Sequence, residues 1–138
     1  MNTQLETAPV GVAVAAAVYG PLGRDDLRHY AQASGDLNPL HLDPDFARQA
    51  GFEDVIVHGM LGMAFLGRLL EEAFPTNPLQ VFRSRFRNII PLGQSIRCTA
   101  RLEQRSADSV QLALTAAIGA DDTLVIEGSA ILGLRPAR

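Results

Sequence analysis

Cysteine is nearly absent from this chain and lysine is missing altogether. Cys98 is the single cysteine among 138 residues, and all twelve basic residues are arginine. One cysteine excludes an intrachain disulfide and a cysteine-rich zinc site. Its place in an alternating pattern favours a small buried side chain. The net charge is −3 and no long basic stretch occurs, so we do not expect nucleic acid as a partner.

The chain also has no apolar run long enough to cross a membrane. The apolar segment 8–19 lacks the basic residues that precede a signal-peptide core. With 47% hydrophobic and 20% charged residues, the composition is that of a globular protein. We therefore expect one domain spanning 1–138, without a membrane partner and located in the cytoplasm.

Periodicity predicts a strand, two short helices, one long helix and then four antiparallel strands. The long helix is apolar around nearly its whole circumference, so we expect it to be buried on all sides. A sheet curled around it gives an α+β arrangement. The helices are predicted at 25–34, at 44–50 and over about fifteen residues from 59. The strands are predicted at 10–18, 79–90, 94–105, 110–118 and 124–132.

Asp36 and His41 are the first candidates for chemistry. They lie five residues apart on one loop, which Asn38 and Pro39 restrict. A carboxylate and an imidazole that face one small volume can bind a water and move its protons. Spacing alone also allows a structural interpretation, in which Asp36 caps a backbone turn and His41 is merely packed.

His58 and Gly59 open the long helix. The first N–H groups of a helix have no intrahelical partner, and they stabilise negative charge that develops on a ligand. Glycine would let a ligand oxygen come close to that backbone. The alternative is that Gly59 only allows tight packing and that His58 makes local hydrogen bonds.

Arg83, Arg85 and Arg87 alternate along a predicted strand and so share one face. They form either a solvated sheet surface or a contact with the phosphates of a large ligand. The three histidines have no metal-binding spacing, and neither a phosphate-binding glycine loop nor a GxSxG motif occurs. We therefore expect no metal and no cofactor.

Three blocks carry a family resemblance. Residues 30–44 (YAQASGDLNPLHLDP) look like the signature of the MaoC-like, R-specific enoyl-CoA hydratases, and residues 57–61 (VHGML) resemble the second block. Residues 86–87 with 91–93 resemble the third, weaker block. Within the family, the chain resembles the catalytic subunit of the (3R)-hydroxyacyl-ACP dehydratases.

The resemblance implies a hot-dog fold, in which a curled antiparallel sheet wraps around one long central helix. It implies hydration or dehydration of an acyl-CoA or acyl-ACP thioester by a homodimer with sites near the subunit interface. By position, Asp36 and His41 become the water-activating pair, and the Gly59 N–H becomes the donor to the thioester carbonyl. The expected substrate-binding residues are Asn38, His58, Met60, Arg83, Arg85 and Arg87.

One position departs from the pattern. Many short members of the family carry a serine near Gly67, where it supports the catalytic histidine, and glycine cannot do so. Two other functions stay open at this point: a hot-dog thioesterase, and a subunit of a heteromeric dehydratase. Partner subunits without activity typically lack the aspartate–histidine pair that this chain retains.

Overall fold

Five antiparallel strands form a single sheet in the computed structural model, which describes residues 3–134. The strand order is β1-β3-β4-β5-β2, so β1 and β2 are the two edges. The strands are β1 (Ala13–Tyr19), β2 (Leu79–Phe86), β3 (Ile96–Arg105), β4 (Ser109–Ile118) and β5 (Thr123–Gly133). The helices are α1 (Thr3–Thr7), α2 (Arg24–Ser34), α3 (Pro44–Gln49) and α4 (Gly59–Ala73).

The concave face of the sheet carries the core. Alternate residues of β3 and β4 point inward, because successive side chains of a strand face opposite sides. Cys98 is one of them, which confirms it as a buried filler, and burial raises the pKa of its thiol to about 12. The buried residues of these two strands are Ile96, Cys98, Ala100, Leu102, Val110, Leu112, Leu114, Ala116 and Ile118. The predicted hot-dog architecture is confirmed.

Helix α4 is not buried on all sides, and that prediction was wrong for one face. Leu66, Leu69 and Leu70 are buried, but Met60 is 53% exposed. Five strands curl around only part of the helix, which leaves an apolar strip open beside the edge strand β2. On the covered side, a Cβ on Gly62 would lie 2.6 Å from the Ile126 side chain, so glycine permits the close packing of helix and sheet.

Several boundaries differ from those predicted. The first strand begins at residue 13 rather than 10, and β2 ends at Phe86 rather than Ile90. The chain bends after Phe86, and Ile90 accepts a hydrogen bond from the Val57 N–H instead of staying in the sheet. Helix α1 was not predicted; Leu5 fills the core there. The predicted domain, 1–138, extends beyond the described residues at both ends.

The segment between α2 and α3 is held at both ends. Helix α2 ends at Ser34 and is capped by Gly35, which adopts a left-handed φ of 79° that glycine tolerates. The Asp43 carboxylate caps α3 by accepting from the Asp45 and Phe46 N–H groups. Between them the chain forms a 3₁₀ turn at Pro39–His41 rather than an irregular loop. None of the described helices is long and apolar enough to cross a membrane.

Candidate active site

Asp36 and His41 meet at the surface end of this turn. The His41 Nε2 atom lies 3.9 Å from the Asp36 Oδ2 atom. The His41 side chain is only 12% exposed, whereas that of Asp36 is 49% exposed. The two groups therefore face one another across a gap that is open to solvent on the Asp36 side.

A backbone carbonyl determines how the His41 ring is oriented. The Nδ1 atom of His41 lies 2.7 Å from the Ile56 carbonyl oxygen, and the Ile56 N–H donates to the Leu40 carbonyl at 3.0 Å. A carbonyl oxygen only accepts, so Nδ1 carries a proton, and in the neutral ring the Nε2 lone pair faces Asp36. Sequence reasoning missed Ile56 because it acts through its backbone, which leaves no signal in residue type.

The two oxygens of Asp36 have separate surroundings. Oδ1 accepts from the Asn38 N–H at 3.2 Å, and Asn38 Oδ1 in turn accepts from the Leu40 N–H at 3.0 Å. These side-chain bonds stabilise the turn that presents both groups. The structural interpretation of Asp36 thus applies to one oxygen and leaves Oδ2 for His41. Asn38 orients the loop from within it.

His58 lies behind this pair and is buried, with 1% exposure. Its Nε2 atom donates to the Asp36 carbonyl oxygen at 3.2 Å, and its ring stacks on His41 with centroids 3.8 Å apart. Tyr30 of α2 makes an edge-to-face contact with the His58 ring, with centroids 4.9 Å apart. The side chain that was expected to contact substrate is enclosed by other residues of the site.

Gly59 begins α4, immediately after His58. Its N–H is among those that no helix carbonyl can satisfy. A Cβ on Gly59 would lie 3.3 Å from the Phe86 ring, so glycine leaves room for an aromatic side chain at the helix terminus. Phe86 was noted in sequence only as part of a weak motif; tertiary packing gives it a place in the site.

Two cavities meet at Phe86. The smaller, of about 290 Å³, is bordered by His41, Gly59 and segment 86–90. The larger, of about 830 Å³, is an open cleft along β2 bordered by Met60 and Met63 of α4. Phe86 borders both. The site therefore has a compact part beside His41 and Gly59 and an extended part along the sheet edge.

The three arginines that were expected to bind substrate differ in their location and in their partners. Arg83 and Arg85 lie on β2, are exposed and border the larger cleft together with Met60. Arg87 follows the end of the strand, borders the smaller cavity and donates to the Glu127 carboxylate, with Nε 2.7 Å from Oε1. Arg83 and Arg85 thus remain suited to a phosphate contact, whereas Arg87 already pairs with a carboxylate.

Asp36, His41 and His58 offer three ligand atoms within 4.8 Å of one another, which raises the question of a metal. The two imidazole rings are stacked, with 22° between their planes. Ring lone pairs lie in the ring plane, so stacked rings direct them side by side rather than towards one ion. The Nδ1 atom of His41 is also engaged with Ile56. This geometry suits a water-holding pair better than a metal site.

Gly67 lies on α4 opposite Phe82. A Cβ at this position would be 3.3 Å from the Phe82 ring, closer than ordinary contact. The ring therefore packs over the position at which the family resemblance implies a serine side chain. The departure noted in the sequence is matched by an aromatic residue on β2.

Comparison with known proteins places these features in a family. The model of the MaoC-like domain matches residues 4–120. The chain is 33% identical over 110 residues, 77% of its length, to a mitochondrial 3-hydroxyacyl-[acyl-carrier-protein] dehydratase of Arabidopsis thaliana. Over 53 residues, 38% of the chain, it is 45% identical to an (R)-specific enoyl-CoA hydratase of Aeromonas caviae.

A solved structure has the same fold as this chain. An (R)-hydratase from A. caviae involved in PHA biosynthesis superimposes with a TM-score of 0.83 and 26% identity, over 92% of this chain and 97% of that one. The sequence matches cover less of the relatives: 66% of the A. thaliana protein and 40% of the A. caviae protein. The structural likeness covers 92% of this chain, whereas the sequence matches cover only part of these relatives.

Proposed function

This chain belongs to the MaoC-like domain family, and from that premise we propose that it reversibly hydrates a trans-2-enoyl thioester to a (3R)-3-hydroxyacyl thioester. The relatives named as hydratase and dehydratase catalyse the two directions of such a reaction. The proposal assigns the water to the gap between Asp36 and His41. No cofactor takes part, because the electrophile is the substrate's own conjugated double bond.

The geometry of the Asp36–His41 pair carries this proposal. A separation of 3.9 Å is short enough for one water to reach both His41 Nε2 and Asp36 Oδ2 within hydrogen-bond distance. The bond from Nδ1 to Ile56 leaves Nε2 as the acceptor, so His41 is the group that takes the proton of the attacking water. Asp36 holds the same water through its second oxygen.

The reaction then balances without another reactant. The water oxygen bonds to C3, and the π electrons of the double bond move towards the thioester carbonyl oxygen. The Gly59 N–H at the start of α4 stabilises the enolate oxygen; removing one such donor costs about 3–4 kcal/mol in other enzymes. A proton returns to C2 from the same face, which restores the pair to its initial protonation state.

The larger cleft suits the carrier end of the substrate. It opens on Met60 and on Arg83 and Arg85, whose guanidinium groups match phosphate oxygens. We assign these residues to the CoA or ACP phosphopantetheine, and the apolar cavity beside Gly59 to the reacting part of the acyl group. Arg83→Ala and Arg85→Ala should raise KM and leave kcat nearly unchanged.

Hydration of crotonyl-CoA, followed as loss of enoyl absorbance, tests the function. We expect Asp36→Asn and His41→Gln each to lower kcat by about 10²–10⁴-fold, as for other positioned acid–base groups. Asp45→Asn and His29→Gln, both at exposed positions, are the matched controls and should retain activity. Full activity in both site variants would contradict the assignment.

The same assay separates the alternatives. A thioesterase would release free thiol, which Ellman's reagent detects, whereas a hydratase releases none. A subunit of a heteromeric dehydratase would be inactive alone and gain activity with its partner. Enoyl-CoA and enoyl-ACP substrates from C4 to C16 would define the carrier and the chain length.

We also propose that the active form is a homodimer joined along β2. Two apolar residues on this edge are exposed, Leu79 by 47% and Phe86 by 52%. An unpaired edge strand with exposed apolar side chains is a surface that a second copy can pair with. Sedimentation equilibrium measures the mass directly. A cytoplasmic location is part of the proposal and is testable by cell fractionation.

A further inference from the structure

Every side-chain contact of His58 described above is made with the active site itself. Its Nε2–H group donates to the Asp36 backbone, its ring face lies on His41, and Tyr30 encloses it from α2. Only 1% of the His58 surface is exposed, so its side chain is enclosed by protein. It is also absent from the residues that border the two cavities described above.

We propose that His58 is a positioning residue that keeps Asp36 and His41 at their working separation. This inference rests on the proposed hydratase function and concerns the same site. One hydrogen bond holds the backbone of Asp36, and one stacking contact holds the plane of the His41 ring. Both members of the pair are thereby tied to a single side chain from a different element.

The same residue anchors the third functional group. His58 is the N-cap of α4, and its carbonyl accepts from the Leu61 and Gly62 N–H groups. That fixes the first turn of the helix, and with it the Gly59 N–H. His58 therefore connects the water-holding pair to the charge-stabilising backbone. Relative placement of such groups matters because an error near 1 Å can cost about 100-fold in rate.

A neutral ring is what this role requires. Burial lowers the pKa of His58, and the nearby His41 lowers it further, while Asp36 acts in the opposite direction. Tyr30 from α2 is the other titratable group that faces the ring. No polar atom within the described part of the chain bonds to His58 Nδ1. With the proton on Nε2, the ring donates to Asp36 and places no second cation against His41.

Two substitutions at His58 test its two contacts separately. His58→Phe keeps a flat ring over His41 and removes the donor to Asp36, whereas His58→Gln keeps a donor and removes the ring. We expect each variant to lower kcat by about 10–100-fold with KM within about threefold of wild type. The dependence of kcat on pH should also differ from that of wild type on the acid side. His29→Phe and His29→Gln, at an exposed position of α2, are the controls.

A measurement that needs no turnover keeps the inference separate from the function. The chain has three histidines, so ¹⁵N NMR with the His29 and His58 variants assigns the His41 nitrogens. We expect wild-type His41 to show the Nδ1–H form, and His58→Gln, which removes the ring that stacks on His41, to show mixed forms. Unchanged His41 signals in both variants would overturn the inference, as would wild-type kcat or a rise in KM alone. An inactive wild-type enzyme would contradict the function only.

Discussion

At the scale of single residues, the site depends on backbone carbonyls as much as on side chains. The Ile56 carbonyl selects the tautomer of His41, and the Asp36 carbonyl accepts a hydrogen bond from the His58 ring. The side-chain oxygens of Asp36 and Asn38 meanwhile stabilise the turn. The chemistry of two titratable groups is thus determined by neutral peptide groups around them.

Gly59 gives a prediction at this scale. A methyl group on Gly59 would press on the Phe86 ring at 3.3 Å and push it towards the cavity beside His41. We expect Gly59→Ala to lower kcat/KM for crotonyl-CoA by about tenfold or more, since approach to the helix N–H is obstructed. The double variant Gly59→Ala with Phe86→Leu should recover part of the loss. Wild-type kinetics in Gly59→Ala would remove Gly59 from the mechanism.

Asp54 gives a pH prediction. Hydrogen bonds from Arg24, at 2.6 and 2.9 Å, and then from the Val55 N–H lower the pKa of the Asp54 carboxyl to about 2. The folded value lies below the unfolded value of about 4, so the pair stabilises the fold above pH 4 and loses this effect as the pH falls through 2.

Urea unfolding of Asp54→Asn measures this effect. The variant should be less stable than wild type at pH 7, and the difference should shrink below pH 4 and be mostly lost near pH 2. Asp108→Asn, in the exposed turn between β3 and β4, is the control and should show a smaller difference. A difference that is constant from pH 7 to pH 2 would contradict the role of the ion pair.

At the scale of elements, helix α4 has three roles, one at its buried face, one at its N-terminus and one at its open face. Leu66, Leu69 and Leu70 pack into the sheet, the N-terminus presents Gly59, and Met60 faces outward. A helix this apolar would be unstable if it were isolated in water, so the sheet is what stabilises it. The open strip that remains borders the cleft assigned to the carrier.

The pairing of β2 with β5 depends on Gly128. A Cβ there would lie 2.1 Å from the Arg83 carbonyl oxygen, which is backbone and cannot rotate away. We expect Gly128→Ala to lower the free energy of unfolding by about 3 kcal/mol, the upper range for overpacking, because the two strands must separate. Urea titration measures this. Ser129→Ala is the neighbouring control, and equal stability of the two variants would contradict the expected clash.

At the scale of the molecule, the sheet has two free edges of different character. The β2 edge lies beside the open face of α4, whereas the β1 edge, with Val18 at 62% exposure, does not border either cavity described above. The proposed homodimer uses β2, which would place two sites near the interface.

Introducing a charge on each edge strand in turn tests which edge forms the dimer. Leu79, on β2, is 47% exposed, so Leu79→Glu should leave the fold intact and shift the dimer to monomer by at least about tenfold in dissociation constant, since the interface would bury a charge in an apolar contact. Val18→Glu on β1 should leave the dimer unchanged. Sedimentation equilibrium of both variants gives the masses; a dimer that survives only in Leu79→Glu would assign the interface to β1.

The sequence by itself determined the local features of this protein. Period-2 and helical patterns predicted eight of the strands and helices in order, because side-chain alternation follows from local backbone geometry. Turn residues determined the loop of Asp36 and His41, as the φ of Gly35 and the cap at Asp43 show. The fold class and the family also followed from local motifs.

Tertiary structure decided what depends on contacts between distant residues. The separation of Asp36 and His41, the tautomer of His41, the burial of His58 and the contact of Phe86 with Gly59 all involve groups from different segments. The open face of α4 depends on how far five strands curl around it, which no single segment encodes. Residue type specifies which groups are available; packing of the whole chain specifies where they point.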